Sequence, residues 1–256
     1  MQVLLFSAIA GVVGLGSGGV LAALLLKRPS ENITSVMLTL ASGIMISIVC
    51  FGLVPEALKI SGVWVSMAGI VAGILIIMAL NRLVDRISAF GGGGAGDGSI
   101  AVTAGDAVTH PRIYRTGIFM LIAIGVHTIP EGMAIGAGGS QNTQLGMLLV
   151  VMITAHHIPE GMAIATPLLA GGMSRWKAIA LPALAGSPTL LGGVIGILIG
   201  NISELAVAAA LSAAGGAMLY VVFMEVIPQA ITISKNRNNM FVILLGLLVG
   251  LVISQV

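Results

Sequence analysis

Three of the four histidines in this 256-residue chain fall inside two copies of one pattern. The first copy reads His127-Thr128-Ile129-Pro130-Glu131-Gly132-Met133-Ala134-Ile135. The second reads His156-His157-Ile158-Pro159-Glu160-Gly161-Met162-Ala163-Ile164. On a helix, His127 and Glu131 are four apart and project from one face, and His156 and Glu160 repeat that spacing. His157 lies three before Glu160, on a neighbouring position of the same face. Two such faces turned together offer imidazole nitrogens and carboxylate oxygens to one point. That mixed donor set suits Zn²⁺ and also Fe²⁺, Mn²⁺, Co²⁺ or Cd²⁺. The carboxylates offset the ion's charge where water is scarce, and neutral imidazoles add none.

The prolines of the pattern predict broken helices. Pro130 has no N–H for the carbonyl of Val126, and Pro159 none for that of Ala155. The glycine after each glutamate loosens the helix further. Freed carbonyls beside carboxylates make an ion path where such backbone lines a wet or protein-buried cavity. Two further segments pair Glu with Pro. Met224-Glu225-Val226-Ile227-Pro228 places Glu225 well inside an apolar run, as a third carboxylate for the site, with Met224 as an accessory thioether beside it. Val54-Pro55-Glu56 places Glu56 near a helix end beside Lys59, where an ion pair competes with an entrance role. Met45 is an accessory candidate as a soft ligand, against a packing role as one of 14 methionines.

Composition says what must carry these residues. The chain is 57% hydrophobic and only 8% charged, with a mean hydropathy of +1.12, far from the roughly 25% charge of a soluble domain. An all-α, polytopic membrane protein follows. Runs of about 20 apolar residues predict eight transmembrane helices, at roughly 3–26, 33–58, 62–80, 117–138, 146–168, 178–200, 205–231 and 239–255. The fourth and fifth carry the repeated pattern. A single transporter domain spans 1–256, with a flexible Gly-rich loop at about 82–116 that holds GGGGAGDGS and the fourth histidine, His110. The single cysteine, Cys50, rules out an intrachain disulfide and a cysteine-rich metal cage. The first charges, Lys27 and Arg28, follow the first apolar run instead of preceding it, which predicts a retained first span. Lys27, Arg28, Arg82, Arg86, Arg112, Arg115, Arg175, Lys177, Lys235 and Arg237 all fall on one side of these eight helices, and only Lys59 on the other. That asymmetry places the Gly-rich loop in the cytoplasm and both termini outside. It also reads the basic balance as a topology signal, with no nucleic-acid partner.

At HTIPEGMAIG and HHIPEGMAIA the sequence resembles the ZIP family of Zrt/Irt-like divalent-metal transporters, in particular its prokaryotic branch. The likeness extends to AGGAMLYVVFMEVIP in the seventh segment and to the order of spans and loops. It implies import of zinc or a related ion toward the cytoplasm across the cell membrane, with the ion as substrate and no prosthetic group. It assigns His127, Glu131, His156, His157 and Glu160 as ligands. It further implies homodimers, and elevator-like alternating access of spans 1, 4, 5 and 6 against spans 2, 3, 7 and 8. The chain departs from the family pattern at three places. Thr128 stands where Asn is frequent, His157 where Asn or Asp is frequent, and Met224-Glu225 where two adjacent carboxylates are frequent. These changes make the site richer in nitrogen, which favours Zn²⁺ or Fe²⁺ over Mn²⁺.

Two other classes compete. An intramembrane metalloenzyme would carry HExxH, with its general base beside a ligand; here the order is HxxxE and HHxxE, so no enzyme is expected. A proton-coupled carrier of another solute would use the same Glu and His as a relay. With 4% aromatic residues the chain offers few contacts for an organic substrate.

Overall fold

The computed structural model describes residues 2–25, 31–90, 111–234 and 238–254; the Gly-rich tract at 91–99, His110, Lys27, Arg28, Lys235 and Arg237 lie outside the described residues. Among the described residues the secondary structure is helical, with no strand. A chain this apolar, in lipid, must satisfy its backbone polar groups internally, and helices do that within each segment.

The helices are α1 (Gln2–Leu25), α2 (31–61), α3 (63–90), α4 (Pro111–Gln141), α5 (Thr143–Ala170), α6 (Arg175–Gly200), α7 (Glu204–Ile233) and α8 (Asn239–Ile253). Among the described residues six stretches are long and apolar enough to cross a membrane, and α8, at 15 residues, is a shorter apolar helix. The difference from the expected eight lies mainly at Asn32–Leu80, one helical stretch of 49 residues. Straight, it would measure about 73 Å, more than twice the roughly 30 Å hydrocarbon core. Gly62 divides it into α2 and α3 with φ 74° and ψ −177°, a conformation open to glycine and closed to residues with a Cβ. Helix also covers 82–90 and 111–116, so the expected loop is shorter at both ends than its composition suggests.

The prolines of the repeated pattern do not break their helices: α4 and α5 run on through Pro130 and Pro159. Neighbouring helices hold both segments along their length, which lets a transmembrane helix tolerate one missing backbone bond. The backbone widens elsewhere, in π-turns at Ile9–Val13, Val49–Leu53 and Val222–Val226. The latter two end two residues before Pro55 and Pro228. A wide turn there gives the proline ring room against the carbonyl four residues back.

Glycine contacts join four of the helices into one group and the other four into two pairs. A Cβ on Gly18 would strike the Ile158 carbonyl, and one on Gly161 the Leu15 carbonyl, so α1 and α5 meet backbone to backbone. Gly132 meets Thr189 O and Gly136 meets Gly193 O between α4 and α6, and Gly11 meets Gly186 between α1 and α6. The same close approach joins α3 to α7 at Gly73 and Gly216, and α2 to α8 at Gly43 and Gly246. Small residues permit this packing in lipid, where dispersion replaces the hydrophobic drive. Thus α1, α4, α5 and α6 form one glycine-joined group, while α2 with α8 and α3 with α7 form two glycine-joined pairs that meet through side chains, Val49, Leu53 and Val54 of α2 lying against Gly215 of α7. Between the groups α2 lies on α5, and α4 on α7. There the contact is made by buried side chains, among them Met45, Ile48, Val49, Leu149, Met152, Ile153 and Met218. Gly52 of α2 faces only the flexible end of Met152, at 3.0 Å.

This contrast has a measurable consequence. Gly136→Ala, which sets a methyl against backbone, is expected to destabilise the purified protein by about 1–3 kcal/mol, the usual penalty of overpacking. Gly52→Ala, which asks only the Met152 methyl to move, is expected to cost less than about 1 kcal/mol, the scale of a side-chain adjustment. Unfolding monitored by far-UV circular dichroism in detergent compares them.

Candidate metal centre

The five ionisable residues of the repeated pattern lie in the interior of the molecule. His127 is 2% exposed, and Glu131, His156, His157 and Glu160 are fully buried. Burial of this much ionisable surface at membrane depth is stable only if the groups satisfy one another or an ion.

Three of them converge. The Glu131 carboxylate of α4 is bracketed by two imidazoles of α5: His156 Nε2 lies 3.1 Å from Oε1, and His157 Nε2 lies 2.6 Å from Oε2. The two rings stand 4.7 Å apart, tilted by 59°. One donor atom from each of the three residues falls within 4.8 Å of the others, the spacing of a metal-binding cluster. The ring nitrogens that face away are also engaged. His156 Nδ1 donates to its own helix at Met152 O, 3.3 Å away, and His157 Nδ1 donates to Ala10 O of α1 at 2.6 Å. Holding the distal nitrogen on a carbonyl is how a ligating imidazole is aimed.

His127 and Glu160 form a second, looser pair, with Nε2 3.9 Å from Oε1. Among the described residues, neither ring nitrogen of His127 and neither oxygen of Glu160 has a hydrogen-bond partner. The pairing runs across helices: each glutamate faces the histidines of the other copy, although i, i+4 spacing also places a histidine on its own face. Glu225 sits half-buried in the π-turn of α7, within electrostatic reach of His127.

The remaining candidates lie apart from this cluster. Thr128 is buried, and its hydroxyl donates to Gly125 O of its own helix at 3.0 Å. Met45 is fully buried in the apolar core between the two groups of helices. Met224 is 62% exposed, on the outer side of α7. Glu56 takes the ion-pair option, with Lys59 Nζ 3.1 Å from its Oε2.

The glycine after each glutamate does more than loosen its helix. Gly132 admits α6 at Thr189, and Gly161 admits α1 at Leu15. The repeat therefore brings one outer helix against each motif helix. Ala10 is the contributor that sequence reasoning misses. It acts through a backbone carbonyl, which every residue has, and only the glycine-rich run Gly11–Gly19 hints at close approach there.

Known zinc transporters are similar to this chain along most of its length. A family model described as "ZIP Zinc transporter" matches residues 97–254, more than half of the chain. A zinc transporter ZupT of Akkermansia muciniphila is 30% identical over 266 aligned positions, covering 100% of this chain and 96% of the relative. A zinc transporter ZupT of Enterobacter sp. (strain 638) is 32% identical and covers 86% of this chain and 84% of the relative. The namesake of Streptococcus mutans is 29% identical, covering 93% and 92%.

The two carboxylates should differ in their cost of removal from metal-free protein. Glu131→Ala leaves two buried imidazoles without their acceptor and is expected to destabilise by about 3–5 kcal/mol. Glu160→Ala removes a buried carboxylate whose histidine partner, His127, lies 3.9 Å away, and is expected to cost less than Glu131→Ala. Chelator-treated protein, unfolded in detergent and followed by circular dichroism, gives both values.

Proposed function

The chain belongs to the ZIP zinc transporter family, and from that premise we propose that it imports zinc into the cell, binding the ion among Glu131, His156, His157, His127 and Glu160. The observation that carries the proposal is the Glu131 carboxylate held between two imidazoles in the interior of the molecule. A divalent ion entering there takes the place of the imidazole protons and meets one carboxylate and two nitrogens. Glu160 and His127 supply further donors that lack hydrogen-bond partners among the described residues. Glu225 adds a third carboxylate on the side of α7. The protein is a multi-pass membrane transporter and not an enzyme. The relatives' names specify zinc; iron, cobalt, cadmium and manganese follow only from the donor set, with nitrogen-rich coordination favouring zinc and iron over manganese.

The mechanism we propose is alternating access by an elevator-like movement. The helices α1, α4, α5 and α6 carry the ion and move as a unit against α2, α3, α7 and α8. Backbone-to-backbone glycine packing joins α1, α4, α5 and α6 to one another, whereas buried side chains such as Met45 and Met152 fill the contact of α2 with α5, which supports that division. Side-chain surfaces can slide with rotamer changes, whereas interlocked backbones cannot. Eight crossings with both termini outside, and a homodimer in the cell membrane, complete the proposal. The turn at Gly62 supports the eight crossings, because it lets α2 and α3 each cross once.

Radiotracer uptake into proteoliposomes tests the site. Glu131→Ala and His156→Ala are expected to reduce zinc uptake to the level of empty vesicles, and excess Mn²⁺ is expected to compete poorly with zinc in the wild type. Uptake unchanged in Glu131→Ala would refute the site. The movement is tested in a Cys50→Ser background. Bridging Gly52→Cys to Met152→Cys with a short dithiol-specific linker spans the two groups and is expected to stop uptake until the linker is reduced. Bridging Gly16→Cys to Ala183→Cys, whose contact lies within one group, is expected to leave uptake intact.

A further inference from the structure

One side of the site is built by a helix that contributes no ionisable side chain to it. The π-turn of α1, Ile9–Val13, brings the Ala10 carbonyl to 2.6 Å from His157 Nδ1, and Ala10 itself is fully buried. A π-turn is a frequent device at functional sites because it displaces a carbonyl from the regular helical direction. One turn further on, Gly14 lies against the same histidine: a Cβ there would be 2.8 Å from His157 Cβ and 3.4 Å from Nδ1. Gly18 then meets Ile158 O, and Gly161 meets Leu15 O. Those contacts lock the height of α1 against α5, and with it the height of the Ala10 carbonyl against the imidazole.

The two adjacent histidines are therefore held differently. His157 is fixed from two other helices, by Ala10 of α1 at one nitrogen and Glu131 of α4 at the other, both at 2.6 Å. His156 is held at its distal nitrogen only by a 3.3 Å contact within its own helix.

We propose that the π-turn of α1 is the positioning element of the metal centre: Ala10 pins His157 so that Nε2, and never Nδ1, faces the ion, and this rigidity sets the discrimination for zinc over larger divalent ions. The proposal rests on the assignment of the zinc site to Glu131, His156 and His157. Its physical basis is ligand distance. Zinc takes imidazole nitrogen at about 2.0–2.1 Å, and a nitrogen that cannot retreat penalises an ion that needs a longer bond. Loss of such an outer partner typically costs about 10–100-fold in metal affinity. Gly14 is the lever, since a methyl there would crowd His157 Cβ and must shift the histidine from the position in which Ala10 holds it. Gly16 is the control, since its Cβ would meet Ala183 of α6 at 3.1 Å and not the histidine.

The experiment is a zinc-against-cadmium competition in proteoliposomes holding wild type, Gly14→Ala or Gly16→Ala. Gly14→Ala is expected to lower the zinc-over-cadmium uptake ratio by about tenfold, while Gly16→Ala keeps the wild-type ratio even if total uptake falls. Equal ratios in all three proteins, or equal losses in both variants, would overturn the inference. Because Gly14→Ala risks poor folding, the wild type supplies a second measurement. In ¹⁵N-histidine-labelled protein loaded with zinc, His157, assigned by the signal missing in His157→Gln, should show a protonated Nδ1 and a metal-shifted Nε2. A metal-shifted Nδ1 overturns the positioning role alone. A spectrum in which zinc moves no histidine nitrogen overturns the site assignment, and this inference with it.

Discussion

A carboxylate in the interior of a membrane protein is the costliest group in this chain, and the arrangement around Glu131 follows from that cost. An ionised carboxylate removed from water loses several kcal/mol of solvation, by order of magnitude, even after the protein relaxes. Here both of its oxygens meet imidazole nitrogens, at 3.1 and 2.6 Å, and the far nitrogens of those imidazoles meet backbone carbonyls. The chain of contacts thus runs from a charge on α4 through two rings on α5 to the backbone of α1 and α5. Each link needs its helix at a fixed height, so the buried charge dictates where three helices stand.

Glycine supplies that fixed height. Gly132 and Gly161 immediately follow the two buried glutamates, and each admits another helix to backbone contact. The same residue type joins α2 to α8 and α3 to α7, whereas buried side chains such as Met45 and Met152 fill the contact of α2 with α5. Such close approach of backbones is what packing in lipid by dispersion rewards.

Much of this is legible in the sequence, and the misses have identifiable causes. Hydropathy indicates the helical membrane class. The doubled HxIPEGMAI pattern points to the buried residues, because an ionisable side chain inside an apolar run is too costly to keep unless it serves a site. The short polar break after Lys59 marks the division of Asn32–Leu80 at Gly62, although the helix is otherwise continuous from one half to the other. Proline misleads. Pro130 and Pro159 predict breaks in α4 and α5, but neighbouring helices keep both segments helical throughout. Spacing also does not reveal which partner a side chain chooses. His127 and Glu131 share a face, yet Glu131 pairs with His156 and His157, a tertiary choice that no i, i+4 rule encodes. Met224 and Glu225 are neighbours in sequence, but the helix turns Met224 outward and leaves Glu225 half-buried. Ala10 leaves no trace in residue type, because its contribution is a carbonyl.

If zinc in this protein is held by Glu131 together with at least two imidazoles, X-ray absorption at the zinc K-edge of the loaded, purified protein measures it directly. The expected spectrum has a first shell of nitrogen and oxygen at about 2.0–2.1 Å. It also carries the outer-shell scattering of two or more imidazole rings, reduced when His156 and His157 are replaced by alanine. A first shell of oxygen alone, or imidazole scattering undiminished by that double replacement, would contradict it.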